Sequence, residues 1–555
     1  MGKGAHAQLS GMGIGNGTAM GVVRRMPDPL PEPVDIPSAR TAAEELSCAV
    51  GALEETAAFI RSRGEQAVGA AREILDAQSL MAEDPSVHED VSRLVMAGKT
   101  AARAIFESFS SFRAIVAGLD SYLAERVSDI DDVMQRTIAY ARGVAAPGIP
   151  ESETPFVLVA RDLAPADTVT LDLTTVLAFV TTEGGPTSHT AILAREKGIV
   201  ALVAVADAQS IADGDLVIVD AAKGAVTVSP SESEQKAATA AMEERAAQRA
   251  RPATPGALAD ATPISLLANI GSVDGVDEAV KYGAEGVGLF RTEFLFFGAT
   301  AAPSVEEQQA AYTKVLTAFP GQKVVIRLLD AGADKPLEFL NSEAEQNPAL
   351  GQRGIRALLA NEGILRSQLQ AIAGAAGQTE ADAWVMAPMV ATVEEARSFS
   401  AIAREFDLKS VGIMVEVPSS AILADRILAV SDFASIGTND LTQYTLAADR
   451  LQGSLASFQS AWHPAVLRLI AEVGSAGAAL HKPVGVCGEA AAEPLLAVVL
   501  VGLGVTSLSM SAAALADVRD ELSRHTLAQA KEFARLALAA DNAEDALAAV
   551  LGAAR

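Results

Sequence analysis

The sequence predicts a multidomain α/β protein: a helical bundle, a compact α/β domain, a linker helix and a C-terminal (β/α)8 barrel. Three observations predict it. From Ser38 to about Gly143, apolar residues recur at spacings of three and four with few Gly or Pro, as in "AAFIRSRGEQAVGAAREILDAQSLM". Between about 148 and 229, short β-rich runs alternate with helical stretches. From Ile264 onward, eight apolar runs are each followed by a helical pattern, and polar residues gather at their C-terminal ends. A doubly wound sheet is the structural alternative for that last region.

Taken in order, residues 1–37 are rich in Gly and Pro and read as a strand segment belonging to the α/β domain, followed by an extended connector. Its G-x-G is a weak signal, because no long parallel βαβ pattern follows. Residues 38–143 form the helical domain. Residues 144–230 form the α/β domain, with strands expected at "FVLVA", "VLAFVT", "VALVAV", "DLVIVD" and "AVTVS". Residues 231–253, "SESEQKAATAAMEERAAQRARP" and one more, read as an exposed helix ending near Pro252. Residues 254–555 hold the barrel, with strands expected at "ISLLANI", "GVGLFR", "KVVIRLL", "WVMAPMV", "GIMVEV", "ASIGTN", "VGVCGE" and "SLSMS".

Composition narrows the function. The chain has 555 residues, half of them hydrophobic, enough for two to four well-cored domains. A net charge of −27 argues against nucleic acid as a partner and favours basic proteins, or small anions held in local basic pockets. Only two cysteines occur, Cys48 and Cys487, which suits a reducing compartment and gives no metal-site spacing. The apolar run "LLAVVLVGLGV" is too short to span a bilayer and no signal-like segment opens the chain, so a cytoplasmic protein without membrane insertion is expected.

Six histidines are present, and one of them, His189, follows the turn "GGPTS" directly before a helical pattern. Gly184 and Gly185 permit unusual backbone angles, and Thr187 and Ser188 are good helix caps. His189 then falls in the first helical turn, where free N–H groups favour an anion such as a phosphoryl group on its imidazole. The alternative is a capping loop whose histidine merely packs.

At the barrel's strand ends lie Arg291, Arg327, Glu416, Asn439, Asp440, Cys487 and Glu489, with Lys335, Arg353 and Arg450 nearby in sequence order. Cations gathered at one barrel mouth in so acidic a chain point to a multiply charged anion, since guanidinium groups bind phosphate and carboxylate as a fork. Taken singly, each could be an ordinary ion-pair partner. Glu416 and Asp440 offer oxygen ligands suited to a hard cation such as Mg2+, or could be buried salt-bridge partners. Cys487 can carry a proton to a carbon atom, although a lone cysteine is more often a small core residue.

These motifs, "GGPTSHTAILAR", "GLFRTEFLF", "QNPALGQRGIR", "IMVEVPS", "IGTNDLTQYTLAADR" and "VGVCGE", together resemble Enzyme I of the bacterial sugar phosphotransferase system, the phosphoenolpyruvate-protein phosphotransferase family, in the family's order and over almost the whole chain. The resemblance implies that phosphoenolpyruvate phosphorylates His189, making 144–230 a phosphohistidine domain, and that the group then passes to a histidine of the histidine-containing phosphocarrier protein. It further implies that Arg291, Arg327, Asn439, Asp440 and Arg450 bind phosphoenolpyruvate with Lys335 and Arg353 as helpers. Glu416 and Asp440 would hold Mg2+, Cys487 would protonate the enolate, and Thr168 would orient the resting imidazole. Arg126 would contact the carrier on the helical domain, and the barrel would form a homodimer. Gln78 stands where the family commonly has histidine. A dikinase sharing the histidine domain and barrel would need an ATP-binding domain, for which the helical region is too short, and no Gly-Lys phosphate loop is present. A silent phosphoenolpyruvate sensor is the remaining rival.

Overall fold

The computed structural model describes residues 6–555 except 16, 66–69, 118–126, 147, 151, 164–170, 172–173, 185–189, 192–193, 195–197, 250–251, 297–298, 300, 332–336, 338, 341–344, 346, 450–454, 456–457 and 555. Two compact units divide at Glu243/Glu244, inside the helix Glu232–Arg249. No helix among the described residues is long and apolar enough to cross a membrane.

In the first unit, helices Ala42–Gly64, Ala70–Glu83, Pro85–Met96, Ala101–Ala117 and Val127–Arg142 pack around Leu53, Ile60, Val91, Ile105, Phe109, Ile130 and Ile138. The first helix starts sharply because Thr41 and Glu44 form a reciprocal capping box, with the Thr41 N–H donating to Glu44 Oε2 at 2.8 Å. Gln78 is fully buried here, and its Nε2 donates to Asp129 Oδ1 at 3.1 Å.

The same unit holds an eight-stranded mixed sheet. Its strands are β1 (Ala7–Ser10), β2 (Met12–Ile14), β3 (Thr18–Arg25), β4 (Phe156–Ala160), β5 (Val176–Thr181), β6 (Val200–Val203), β7 (Leu216–Asp220) and β8 (Ala225–Val228). The spatial order is β1-β8-β7-β3-β4-β5-β6-β2. Strands β3 to β6 run parallel, while β2, β7 and β8 pair antiparallel. Residues of β4 are buried on both faces, as a central strand covered twice requires, which is why "FVLVA" reads as an unbroken apolar run.

The second unit is a closed parallel barrel of β9 (Ser265–Ile270), β10 (Gly286–Phe290), β11 (Lys323–Arg327), β12 (Asp382–Ala387), β13 (Ser410–Val415), β14 (Ala434–Ile436), β15 (Val484–Val486) and β16 (Ser507–Met510). All eight lie on the eight expected runs. Alternate residues point inward, so Leu289, Val325, Met386, Met414, Phe433 and Cys487 fill the centre as one small cluster. A much larger shell, including Leu266, Phe290, Ile326, Val385, Ile413 and Leu508, packs outward against the helices.

One half-buried acid in the barrel unit yields a pH prediction. Trp462 Nε1 donates to Glu493 Oε1 at 2.6 Å, and burial pushes the Glu493 carboxyl up from 4.5 to about 7. The native state therefore keeps this proton at pH values where the unfolded chain has lost it. The stabilisation is complete below about pH 4.5 and is lost as pH rises towards 7. The N-terminus of the helix Pro494–Gly502 opposes the shift, which limits the effect to about 2 kcal/mol. Both tryptophans, Trp384 and Trp462, lie in this unit, so urea unfolding followed by their fluorescence reads it selectively. Between pH 5 and 8 the wild-type chain is expected to lose that stability relative to Glu493→Gln. Parallel profiles for the two proteins would contradict it.

Candidate active site

The sequence places charged residues where the barrel strands end, and the structure connects three of them, Arg327, Arg353 and Asp440, through Glu293 and Asp330. Arg327 closes β11, Arg291 and Glu416 each follow their strand by one residue, and Cys487 follows β15. Asn439 and Asp440 sit in the first turn of the helix Thr438–Leu446. Two close approaches make this possible. A side chain on Gly437 would meet Glu416 Oε2 at 2.9 Å, and one on Gly354, at φ +57°, would meet Met389 Cβ at 2.8 Å and Asp330 Oδ1 at 3.2 Å. Glycine therefore lets the segments carrying Asp440 and Arg353 reach the mouth.

Arg353 is 7% exposed and bridges two carboxylates. Its Nη1 donates to Asp440 Oδ1 at 3.0 Å and its Nη2 to Asp330 Oδ2 at 3.0 Å, with Tyr444 Oη a further partner at 3.2 Å. Arg327 Nη2 donates to Glu293 Oε1 at 2.8 Å, and its Nη1 lies 3.4 Å from Asp330 Oδ2. Burial works against both guanidinium charges, yet the surrounding carboxylates hold both pKa values above the ordinary arginine value. Arg291, by contrast, is exposed and pairs with no described carboxylate. Among the described arginines of the sequence reading, Arg291 is open, whereas Arg327 and Arg353 are already engaged.

Glu416 is 1% exposed, and its Oε1 accepts from the Met389 N–H at 2.6 Å. Met389 adopts φ +58°, left-handed backbone that a side-chain-bearing residue rarely takes, and the turn it makes aims that N–H at the carboxylate. Burial first, then the charges of Asp440 and Asp330, drive the Glu416 pKa well above the carboxylate range. A charge imbalance adds to the effect of burial. Four carboxylates with little or no exposure, Glu293, Asp330, Glu416 and Asp440, stand beside two largely covered guanidiniums, Arg327 and Arg353. A divalent cation fits such a donor set. Among the described residues no group of three or more His, Cys, Asp or Glu side chains is arranged to hold a metal alone. Two carboxylates completed by substrate oxygens and water is the arrangement Mg2+ favours.

Cys487 faces the barrel interior, 3% exposed, with Sγ 3.6 Å from the Ile436 carbonyl. Burial pushes its thiol up to about 11 despite a hydrogen bond with Ser435, so it is a protonated acid at neutral pH. Asn439 Nδ2 donates to Glu489 Oε1 at 3.4 Å, and Asn439 Oδ1 accepts from the Glu489 N–H at 3.1 Å, tying the loops after β14 and β15 together. Asn269 Nδ2 donates to the Cys487 carbonyl at 2.9 Å.

His189, Thr168, Lys335, Arg450 and Arg126 lie outside the described residues. Next to His189, Thr190 is helical and buried, and its hydroxyl donates to Asp162 Oδ1 at 2.9 Å. Gly184 takes φ +94° in the preceding turn.

Sequence reasoning missed Glu293, Asp330 and Met389. The first two had a signal: an acidic residue two after Arg291 and another three after Arg327, each just past the end of a strand-like run. Met389 had none, since nothing local marks its left-handed turn.

Comparison with known proteins identifies the family. The "PEP-utilising enzyme, PEP-binding domain" family matches residues 245–527, its mobile domain matches 152–224 and its N-terminal domain matches 10–126. A phosphoenolpyruvate-protein phosphotransferase of Streptomyces coelicolor is 51% identical over 97% of this chain and 97% of its own. Proteins of the same name from Haloferax volcanii and Staphylococcus carnosus are 38% and 37% identical, each over 88% of this chain and 88% of theirs. Matched along nearly its whole length at that identity, the chain belongs to the phosphoenolpyruvate-protein phosphotransferases.

Proposed function

We propose that this phosphoenolpyruvate-protein phosphotransferase uses His189 as its acceptor and the barrel mouth as its phosphoenolpyruvate site. The imidazole attacks phosphorus, an N–P bond forms, and the bridging C–O–P bond breaks at phosphorus to leave the enolate of pyruvate. The Cys487 thiol then gives its proton to the methylene carbon, and the thiolate regains a proton from solvent. The phosphoryl group next passes to a histidine of the histidine-containing phosphocarrier protein, with Arg126 among the carrier contacts and Thr168 orienting the resting imidazole.

Arg291, Arg327, Asn439, Asp440 and Arg450 bind phosphoenolpyruvate, with Lys335 and Arg353 assisting. Phosphoryl transfer is mainly positioning and charge stabilisation, so pre-set cations are the expected equipment. Glu416 and Asp440 would hold a divalent cation, Mg2+ in this reading. When bound, it would neutralise charge on the substrate oxygens. The barrel unit would also carry the homodimer contact. The observation that carries the reading is the surplus of buried carboxylate over guanidinium around Glu416 and Asp440, beside a protonated Cys487 thiol.

The test is steady-state turnover over a range of Mg2+ concentrations. Asp440→Asn is expected to lower turnover by on the order of 10² and to demand more Mg2+, as removal of one pre-set charge contact does. An enzyme that runs at full rate in chelator would contradict the Glu416 and Asp440 assignment.

A further inference from the structure

Behind the charged cluster, on the outer side of the barrel wall, lies a chain of buried polar side chains with no role in the chemistry just described. Gln368, on the helix Glu362–Ala376, is 0% exposed and uses every atom of its amide. The Leu329 N–H donates to its Oε1 at 3.0 Å, which fixes the amide's orientation because a backbone N–H can only donate. Its Nε2 then donates to Thr292 Oγ1 at 3.0 Å and to Tyr312 Oη at 3.1 Å. Each partner passes the direction on. Thr292 Oγ1 donates to the Arg327 carbonyl at 3.0 Å, and Tyr312 Oη donates to Gln308 Oε1 at 3.1 Å. Thr292, Tyr312 and Gln308 are themselves buried.

The placement of these bonds matters more than their number. Thr292 stands between Arg291 and Glu293, while the Arg327 carbonyl and the Leu329 N–H bracket the end of β11, one residue before Asp330. One amide therefore clamps the two segments that deliver Arg291, Glu293, Arg327 and Asp330. The same segments are joined on the mouth side, where Glu293 Oε1 accepts from both Arg327 Nη2 and the Asp330 N–H. Among the described residues, the buried Arg327 Nε has no hydrogen-bond partner. The backbone clamp thus fixes the segment from which the Arg327 guanidinium reaches Glu293 and Asp330.

We propose that Gln368 and Thr292 are positioning residues for phosphoryl transfer, acting through Arg327 without touching substrate. This rests on the reading of Arg327 as a substrate-binding residue. Charge stabilisation depends steeply on placement, and a shift of about 1 Å can cost roughly 10² in rate. Gln368→Met keeps the volume and removes all three hydrogen bonds. Thr292→Val is the lighter change and removes the hydroxyl alone.

The experiment is a double-mutant cycle on the full-length chain, reading the single-turnover rate of phosphorylation by phosphoenolpyruvate. Gln368→Met, or Thr292→Val if the former does not fold, is expected to slow wild type by about 10 to 10². In an Arg327→Lys background, already slow, the same change is expected to cost less than about threefold, because the group being positioned is gone. A merely structural role would lower thermal stability equally in both backgrounds and leave the rates uncoupled. Equal slowing in both backgrounds, or no slowing of wild type, overturns the inference. If Arg327→Lys alone is as fast as wild type, the reading of Arg327 falls first, and that outcome is distinct from the other two.

Discussion

Replacing His189 with alanine is expected to abolish phosphoenzyme formation while leaving phosphoenolpyruvate binding nearly unchanged. The expectation follows from the division of labour between the two units. His189 belongs to the unit Met1–Glu243, whereas Arg291, Arg327, Glu416, Asp440 and Cys487 belong to Glu244–Arg555. The charged barrel residues of the substrate reading all belong to the second unit, where Arg353 is held by Asp330 and Asp440 and Arg327 by Glu293. Removing the imidazole deletes the acceptor and nothing that binds the substrate. Intact-mass spectrometry after incubation with phosphoenolpyruvate and Mg2+ reads the first half, and calorimetric titration reads the second. Persistent phosphorylation of His189→Ala would remove that residue from the mechanism. Loss of binding together with loss of phosphorylation would mean that the two sites are not separable.

Cys487→Ala is expected to separate proton transfer from phosphoryl transfer. The thiol is buried among Leu289, Val325, Met386, Met414 and Phe433, and its pKa is pushed up to about 11, so it is fully protonated when the enolate forms. General acid catalysis of this kind contributes about 10² to 10⁴ in rate. The variant should still phosphorylate His189 in a single turnover, with pyruvate formation lagging by about that factor. Solvent would then protonate the enolate from either face, so deuterium from the medium should lose its stereospecific placement in the methyl group. Cys487→Ser, a poorer acid, should not restore the rate. Equal slowing of both steps would instead identify Cys487 as a packing residue of the barrel interior.

The barrel was legible because its strands are buried on both faces, which produces unbroken apolar runs such as "KVVIRLL" and "GIMVEV" separated by helical patterns. The strand-end residues were legible for the same reason, since a polar residue ending an apolar run has only the barrel mouth to face. The pairings were not. Arg353 reads as an open fork in "QNPALGQRGIR", yet it is engaged with Asp330 and Asp440, partners far away in sequence that no local pattern connects to it. Gln368 reads as an ordinary helical residue in "LRSQLQAIAG", and only tertiary packing brings its amide behind Thr292 and Leu329. In the helical domain the bundle was visible as periodicity, but the buried Gln78 to Asp129 contact was not, because period alone does not say which polar residue turns inward.

The most direct measurement of the central claim is transfer of label. Full-length protein is incubated with phosphoenolpyruvate carrying ³²P and with Mg2+, freed of excess substrate, and then mixed with purified histidine-containing phosphocarrier protein. The account predicts label that is acid-labile and base-stable, located on the peptide containing His189, and lost to the carrier on mixing. Acid-stable label, label on another peptide, or label that stays on the chain when the carrier is added would contradict it.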